Sequence, residues 1–582
     1  MTKLLTYDLE TTGLNPRTCR ILGIAICISV GVTYYITLPK CIEKAKKILE
    51  VLRPYFKDAS IEKLGHNLKY DNQVLKHYGI DVKGKLHDTM VGDYVLHPDR
   101  KHHGLKLISK LHLNYQQLEF DEIAIGKTKQ DKTLEGVDPK LVSVYACEDT
   151  DQTLQLHQYL HPQIEQNGLL DSYNLDCQLV DVISEMEYNG ITIDIDLVKE
   201  IESEIDVLLK NLKQSILKFT SGEFNINSTK DVNHLLFNQL GIEPIGDKNK
   251  NGLYSVSSKI LKRLLPEHKV IKLILDYRAI YKVKSTFIKA LLQIDPVSGR
   301  LHTSINQTVT ETGRLSSSKP NLQNIPSRTI GKKLRQCFIA SSEHHTLIGA
   351  DFSNIELRVM AIISQDVTML SAYKDGEDLH ALTASKVLGI SYQQAKENKD
   401  QRNIGKLINF GLIYGMSSHG LRESLFLNAG KDFTLEQCQD FINTYFELYR
   451  GVAKCREDLV YKATINGYTE TLFGRKRPLS NINSNDSYKR SAAKRLAMNT
   501  PIQGTAADII KMAMVKIHKR IKSEGLASKM LLQVHDELLF DVPNSELKYM
   551  EKLVKYEMEN AVHLAIPMEV DLQSGRTWYD VH

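Results

Sequence analysis

The sequence predicts a multidomain chain of α/β and α+β units, on three observations. It runs to 582 residues, against about 150 for an ordinary domain. Its first hundred residues alternate strand-like runs with amphipathic helical ones, the texture of an α/β unit. From residue 301 onward, strand-like pieces such as HTLIGADFS and KMLLQVHDELLFDV are separated by long helical patterns, as in a large α+β unit. With 42% hydrophobic and 25% charged residues, the composition is that of soluble globular protein and excludes wholesale disorder. Lys and Arg number 75 and Asp and Glu 70, so the net charge of +5 says nothing about polyanionic partners and only local clusters can.

KLLTYDL reads as the first strand. Residues 21–39, ILGIAICISVGVTYYITLP, are uncharged and nearly long enough to span a bilayer, but β-branched and aromatic residues interrupted by Gly31 predict two buried strands in a hairpin. IEKAKKILEVLRPYF follows as an amphipathic helix, and the first unit ends near residue 165. Residues 170–295 are mostly helical, with DVLLKNLKQSILKF and SKILKRLLPEHKVIKLILDYRAIYKVKSTF as long amphipathic stretches. Eight Cys without any CxxC pair point to a reducing compartment. Asp8 and Glu10 stand where a signal peptide needs apolar residues, so a cytoplasmic protein without a membrane span is expected.

Two constellations carry chemistry. In TYDLETTG the strand period puts Asp8 and Glu10 on one face, and close carboxylates raise one another's pKa unless a cation lies between them. Oxygen ligands favour magnesium or manganese, although a lone DxE also fits a solvated strand end. GHNLKYDNQVL adds Asp71 on a helix, and VYACEDTDQTLQLH adds Tyr145 and Asp149 one turn apart. These match the three motifs of the DEDDy 3′-5′ exonucleases, the proofreading domains of many DNA polymerases. The resemblance implies that Asp8, Glu10, Asp71 and Asp149 hold two metals and that Tyr145 orients the attacking water. Asn67 and Asp88 lie in similarly matching text, Asp88 as a supporting group or a helix N-cap.

The second constellation is RNIGKLINFGLIYGM, which sets Arg402, Lys406, Phe410 and Tyr414 at intervals of four along one helix face. The cations suit a triphosphate and the aromatics a base or sugar, while the segment alone also reads as an amphipathic helix with an aromatic edge. GADFSNIELRVMA puts Asp351 at a strand end and Glu356 on the next turn, and LLQVHDELLFDV sets His535, Asp536 and Glu537 between two strands. DFSNIELR, RxxxKxxxFxxxYG and QVHDE are similar to motifs A, B and C of the family A DNA polymerases, those like bacterial DNA polymerase I. TETGRLSSSKPNLQNIP at 310–326 and AMNTPIQGTAADIIK at 497–511 resemble further signatures, and the resemblance extends over almost the whole chain.

It implies an RNase H-like exonuclease domain over 1–165 and a right-hand polymerase over 166–582. The thumb would take about 170–297, the palm about 298–373 and 491–582, and the fingers about 374–490. Asp351, Asp536 and the carbonyl of Phe352 would bind two magnesium ions, with manganese as the alternative. Arg402 and Lys406, with His380, would hold the triphosphate, and Lys406 would protonate the leaving pyrophosphate. Phe410 and Tyr414 would pack on the nascent pair, Glu356 would exclude a ribose 2′-OH, and Phe410 in place of Tyr would disfavour dideoxynucleotides. Arg314, Arg495, Asn499, Gln503 and His535 would contact primer and template, and Arg278, Lys282 and Lys284 would grip the duplex from the thumb. Glu537 resembles a secondary acidic residue. Residues 474–495, with seven Lys or Arg against one Asp, are expected to form a phosphate-contacting surface. Expected partners are primer-template DNA, deoxynucleoside triphosphates, a single-stranded 3′ end and replication accessory proteins. Phe352, Asn354 and Asn403 stand where bacterial members have Tyr, Gln and Arg, which predicts weaker triphosphate binding. Because the exonuclease motifs begin almost at residue 1, a 5′-nuclease domain is expected to be absent.

Overall fold

The computed structural model describes residues 3–128, 131–220, 222–326 and 330–582. The N-terminal unit is built on a five-stranded sheet of β1 (Lys3–Thr11), β2 (Ile21–Ser29), β3 (Val32–Thr37), β4 (Ile61–Gly65) and β5 (Leu86–Asp88), in spatial order β3-β2-β1-β4-β5. β2 and β3 form the expected antiparallel hairpin, turning through Gly31 at φ 79°, a conformation that suits glycine. β4 and β5 run parallel to β1, which requires helical crossovers; α1 (Ile42–Lys57) and α2 (Leu68–His77) provide them. α3 (Thr89–Leu96), α4 (Leu105–Leu113) and the long helix Pro139–Gln166 complete the unit, the last lying across β1, β2 and β3. Strand alternation sends Tyr7 and Leu9 into the core, Tyr7 edge-on to Phe56 at 5.0 Å, and turns Asp8 and Glu10 the other way.

Helix Leu170–Asn189, which the resemblance grouped with the thumb, is shared by two cores. Its Tyr173, Cys177 and Val180 pack into the N-terminal unit, and Leu179, Val182, Ile183 and Met186 into the large C-terminal core. It is a bridge, and the next long helix, Ile195–Leu217, packs along Lys269–Val283. The palm sheet is antiparallel throughout, with strands Lys529–Val534, Glu537–Pro543, His345–Phe352 and Val570–Gly575 side by side. Helix Leu547–Glu559 backs that sheet, and the 37-residue helix Ser487–Ser523 packs on it and on the bridge. In the fingers, helix Lys399–Ile413 lies against Leu379–Leu388 so closely that a Cβ on Gly405 would stand 2.1 Å from the His380 carbonyl oxygen. No helix among the described residues is long and apolar enough to cross a membrane.

A buried charge quartet ties these parts together. Arg475 donates to Asp176 of the bridge at 2.8 and 3.1 Å and to Asp508 of the long helix at 2.8 Å, and Lys511 donates to Asp176 at 2.7 Å. Despite burial, the two cations hold the Asp176 carboxyl below the ordinary carboxylate range. Removing one partner from such a group strands the others in a low dielectric. Arg475→Met is therefore expected to cost about 3–5 kcal/mol, read as an earlier denaturant midpoint by circular dichroism. An unchanged midpoint would mean the quartet does not hold the joint.

Candidate active sites

The N-terminal centre gathers four carboxylates from three elements. β1 supplies Asp8 and Glu10, α2 supplies Asp71, and helix Pro139–Gln166 supplies Asp149 with Tyr145 one turn before it. A bulge between Glu10 and Thr11 breaks the pairing with β2 beside the centre. Oxygens of Asp8, Glu10 and Asp149 lie within 4.8 Å of one another, and Asp71 joins from below by accepting the Leu9 N–H at 3.2 Å. Burial pushes all four up, Asp8 to about 6 and Asp149 to about 7, and neighbouring carboxylates add to the rise at Glu10, Asp71 and Asp149. Burial and the neighbouring Asp149 raise the Tyr145 hydroxyl as well.

The α2 helix is aimed by its other face. Lys69 and Gln73 donate to Glu187 of the bridge at 2.7 and 2.6 Å, and Lys76 to Glu185 at 3.0 Å. Asn67, in a left-handed conformation at φ 61°, precedes α2, and its N–H and that of Leu68 donate to Asp88. Asp88 also accepts from Met90 and Val91, so it caps α3 and secures α2 together, uniting the two roles open from sequence.

Two residues that the sequence reading missed complete this centre. Lys106 of α4 pairs with Asp149 Oδ1 and lies 4.2 Å from the Tyr145 ring centroid, while Gln117 donates to the same oxygen at 2.7 Å. KHHGLKLISK looks like any solvated basic helix, so only the fold brings Lys106 inward. Elsewhere in this unit, Asp93, His97 and His112 are close enough to share a metal, but Asp93 already accepts from Arg100, His103 and His112, which pins the loop between α3 and α4.

The palm centre lies at two adjacent strand ends. Asp351 lies near the end of His345–Phe352 opposite Glu537, and the Phe352 N–H donates to the Asp536 carbonyl at 3.3 Å, which brings the two aspartates side by side. Burial and then Asp536 push the Asp351 carboxyl up to about 8, and its Oδ1 is buried without a partner. The Phe352 ring belongs to the core, whereas His535, at φ 59°, forms the exposed turn. Glu537 turns away, accepting from Trp578 Nε1 at 2.9 Å and His582 at 3.2 Å; its contacts are structural.

Beside these carboxylates is a cavity of about 340 Å³ lined by Arg314, Glu356, Phe410, Tyr414, His535 and Asp536. Glu356 accepts from Arg314 and from the Tyr414 hydroxyl, and Phe410 and Tyr414 stack at 6.5 Å. Farther along the same helix, Lys406 is exposed and Arg402 donates to Asp378 at 2.5 Å. His380 is buried, with Asn409 donating to its Nδ1 at 3.0 Å and its Nε2–H donating to Asn354 at 3.1 Å. Burial and the nearby Arg402 lower its pKa to about 4. The expected phosphate helper is thus a neutral ring whose nitrogens are both engaged.

Arg495, Asn499 and Gln503 form one stripe on the long helix, with Arg495 exposed and the Asn499 Oδ1 buried without a partner. Lys282 is exposed and Lys284 pairs with Asp206. Arg278 is half-buried and donates to the carbonyls of Ile226 and Val256 at 2.9 and 2.8 Å, bracing its helix against the neighbouring segments. The basic run 474–495 needs a correction. Arg475 is buried in the quartet, Arg477 is buried against Glu311 and Thr500, and Lys476 donates to the Asn167 carbonyl, leaving Lys489, Lys494 and Arg495 exposed.

Known proteins share this arrangement. The model of DNA polymerase family A matches residues 195–580, and that of the 3′-5′ exonuclease matches residues 2–165. DNA polymerase I of Treponema pallidum (strain Nichols) is 33% identical over 621 residues, covering 100% of this chain and 61% of that protein. DNA polymerase I of Bacillus subtilis (strain 168) is 35% identical, covering 99% and 63%. The solved POL domain of Pol1 from M. smegmatis, in complex with DNA primer-template and dNTP, has a TM-score of 0.89 at 29% identity and covers 100% of this chain and 97% of that one. A carboxylate centre on a mixed sheet, bridged to a palm with its own carboxylate pair facing a fingers helix, defines the class of polymerases with an attached nuclease domain. Within that class the chain belongs to DNA polymerase family A and carries the family's 3′-5′ exonuclease domain. It spans about three-fifths of the length of these curated relatives.

The raised carboxylates predict a pH dependence. Unfolded carboxyls release their protons near pH ~4, whereas folded Asp8, Asp149 and Asp351 keep theirs to about 6, 7 and 8. The folded state then binds more protons, so metal-free stability falls as pH rises through that window and levels off above the highest value. Thermal melts in chelator should drop from about pH 5 to about pH 8, with Mg2+ restoring more at the upper end. Asp351→Asn should flatten the slope, and a melting temperature that rises with pH over this range would contradict the assignment.

Proposed function

We propose that this chain extends a primer 3′ end on a DNA template with deoxynucleoside triphosphates and removes 3′-terminal nucleotides at its N-terminal centre. The observation that carries the first activity is the Asp351 and Asp536 pair beside a cavity walled by Glu356, Phe410 and Tyr414. The reading has the primer 3′ oxygen attack the α-phosphate and pyrophosphate leave. Two magnesium ions at each centre, replaceable by manganese, are the proposed cofactors. Carboxylates raised by burial and repulsion, the unpartnered Asp351 Oδ1 and three oxygen ligands within 4.8 Å fit hard divalent cations. When bound, such ions supply Lewis acidity to the attacking and leaving oxygens.

The chain's own groups take the remaining tasks. Lys406, exposed on the fingers helix, meets the triphosphate and gives a proton to the leaving pyrophosphate, and Arg402 joins it on release from Asp378. Tyr414, now bonded to Glu356 inside the cavity, yields to the nascent pair. The unpartnered Asn499 Oδ1 with Arg495, Gln503, Arg314 and His535 supports a path for primer and template. At the N-terminal centre Tyr145 orients the water that attacks a single-stranded 3′ end. Replication accessory proteins would meet the chain in the cytoplasm, where this work belongs.

The two chemistries should separate. On a labelled primer-template, Asp71→Ala should reduce 3′ degradation by roughly two to three orders of magnitude and spare extension, and Asp536→Ala should do the reverse. Loss of both activities in either folded variant would sink the two-centre reading. Sugar choice should follow Glu356, whose carboxylate occupies the space a 2′-OH needs. In an Asp71→Ala background, Glu356→Ala should raise ribonucleotide incorporation by roughly 10- to 200-fold, and Phe410→Tyr should raise dideoxynucleotide use. Unchanged ribonucleotide discrimination would remove Glu356 from that role.

A further inference from the structure

Lys106 has no part in the reaction derived above, yet it stands among the carboxylates of the N-terminal centre. It projects from the first turn of α4, four-fifths buried, with Nζ on Asp149 Oδ1 and the Tyr145 ring 4.2 Å away. Its charge also reaches Asp8 and Glu10. Three carboxylates with oxygens within 4.8 Å repel one another strongly when bare, and this ammonium offsets part of that repulsion. A divalent cation seeks the same oxygens for the same reason. The ammonium and the ion therefore compete, and the flexible four-carbon stem of lysine lets the ammonium withdraw without moving α4.

We propose that Lys106 is a built-in counter-cation of this centre, holding Asp149 in the metal-free protein and competing with a divalent ion for it. The proposal rests on reading the cluster as a divalent-metal centre. Metal loading then has to expel an ammonium, so the centre binds ions more weakly than its carboxylate count implies. The displaced ammonium stays near the cluster, where an anionic phosphodiester of the 3′ end can accept its hydrogen bonds. Lys106 is in this sense a positioning residue, exchanging Asp149 for the incoming strand. Gln117, which donates to the same Asp149 oxygen at 2.7 Å, keeps the carboxylate oriented after the exchange.

The test uses the full chain with Asp536→Asn to silence the palm centre and Mn2+ as the probe, with free Mn2+ followed by electron paramagnetic resonance. Lys106→Gln keeps a hydrogen-bond donor and removes the charge, and should bind Mn2+ about tenfold more tightly or better. Lys106→Arg should stay within about twofold of the parent. A purely structural lysine would leave Mn2+ affinity unchanged or lowered in Lys106→Gln, and either result overturns the proposal. Should Lys106→Gln fail to fold, acetic anhydride footprinting of the unsubstituted chain decides: Lys106 should be protected in chelator and several-fold more reactive with Mg2+, and equal reactivity overturns the proposal. Degradation of a labelled single strand, measured in parallel, separates the two readings. A Mn2+ shift without degradation in any variant upholds the competition and removes the exonuclease assignment.

Discussion

The architecture turns on one buried charge quartet. Asp176 sits on the helix that bridges the two units, Asp508 and Lys511 on the long palm helix, and Arg475 on the hairpin between them. All four side chains are almost completely withdrawn from water. Ions in such surroundings tolerate little displacement, because each loses part of its compensation when a partner moves. The quartet therefore fixes the angle at which the bridge crosses the palm. Through Glu185 and Glu187, the same bridge aims α2 and with it Asp71. A constraint inside the polymerase half thus reaches the opposite domain.

Both centres gather like charges that would separate if free, and the fold compensates them differently. The N-terminal cluster has an internal cation in Lys106 and a neutral donor in Gln117. At the palm pair Asp351 faces Asp536 across neighbouring strand ends, with one Asp351 oxygen buried and unpartnered, and Arg314 and His535 act on Asp536 from the cavity side. At the palm, the rigid sheet supplies the work of holding the carboxyls together, since neither strand end can swing away without breaking its ladder.

The fingers are held in a self-satisfied arrangement. Tyr414 and Arg314 both donate to Glu356, Arg402 is paired with Asp378, and His380 is locked between Asn354 and Asn409. Lys406 alone of the stripe's cations points freely outward. These internal partners keep the cavity formed and polar. Asn354 accepts from His380, a link invisible in the motif itself.

By itself the sequence determined the two carboxylate sets, the hairpin at 21–37, the helix at 399–413 and the family, because these depend on short-range periodicity and on long collinear motifs. Tertiary structure alone decided which cations face inward. Arg475, Arg477 and Arg278 read as solvated basic residues, yet each meets a carboxylate, hydroxyl or carbonyl brought from elsewhere along the chain: Asp176, Thr500 and the Ile226 carbonyl. Lys106 reads as an ordinary helix lysine and lies inside a centre for the same reason. A strand or helix period records which side of an element a residue occupies; it carries no record of what packs there. Whether a charge is solvated or buried depends on that partner, and the partner is chosen only when the domains close on one another.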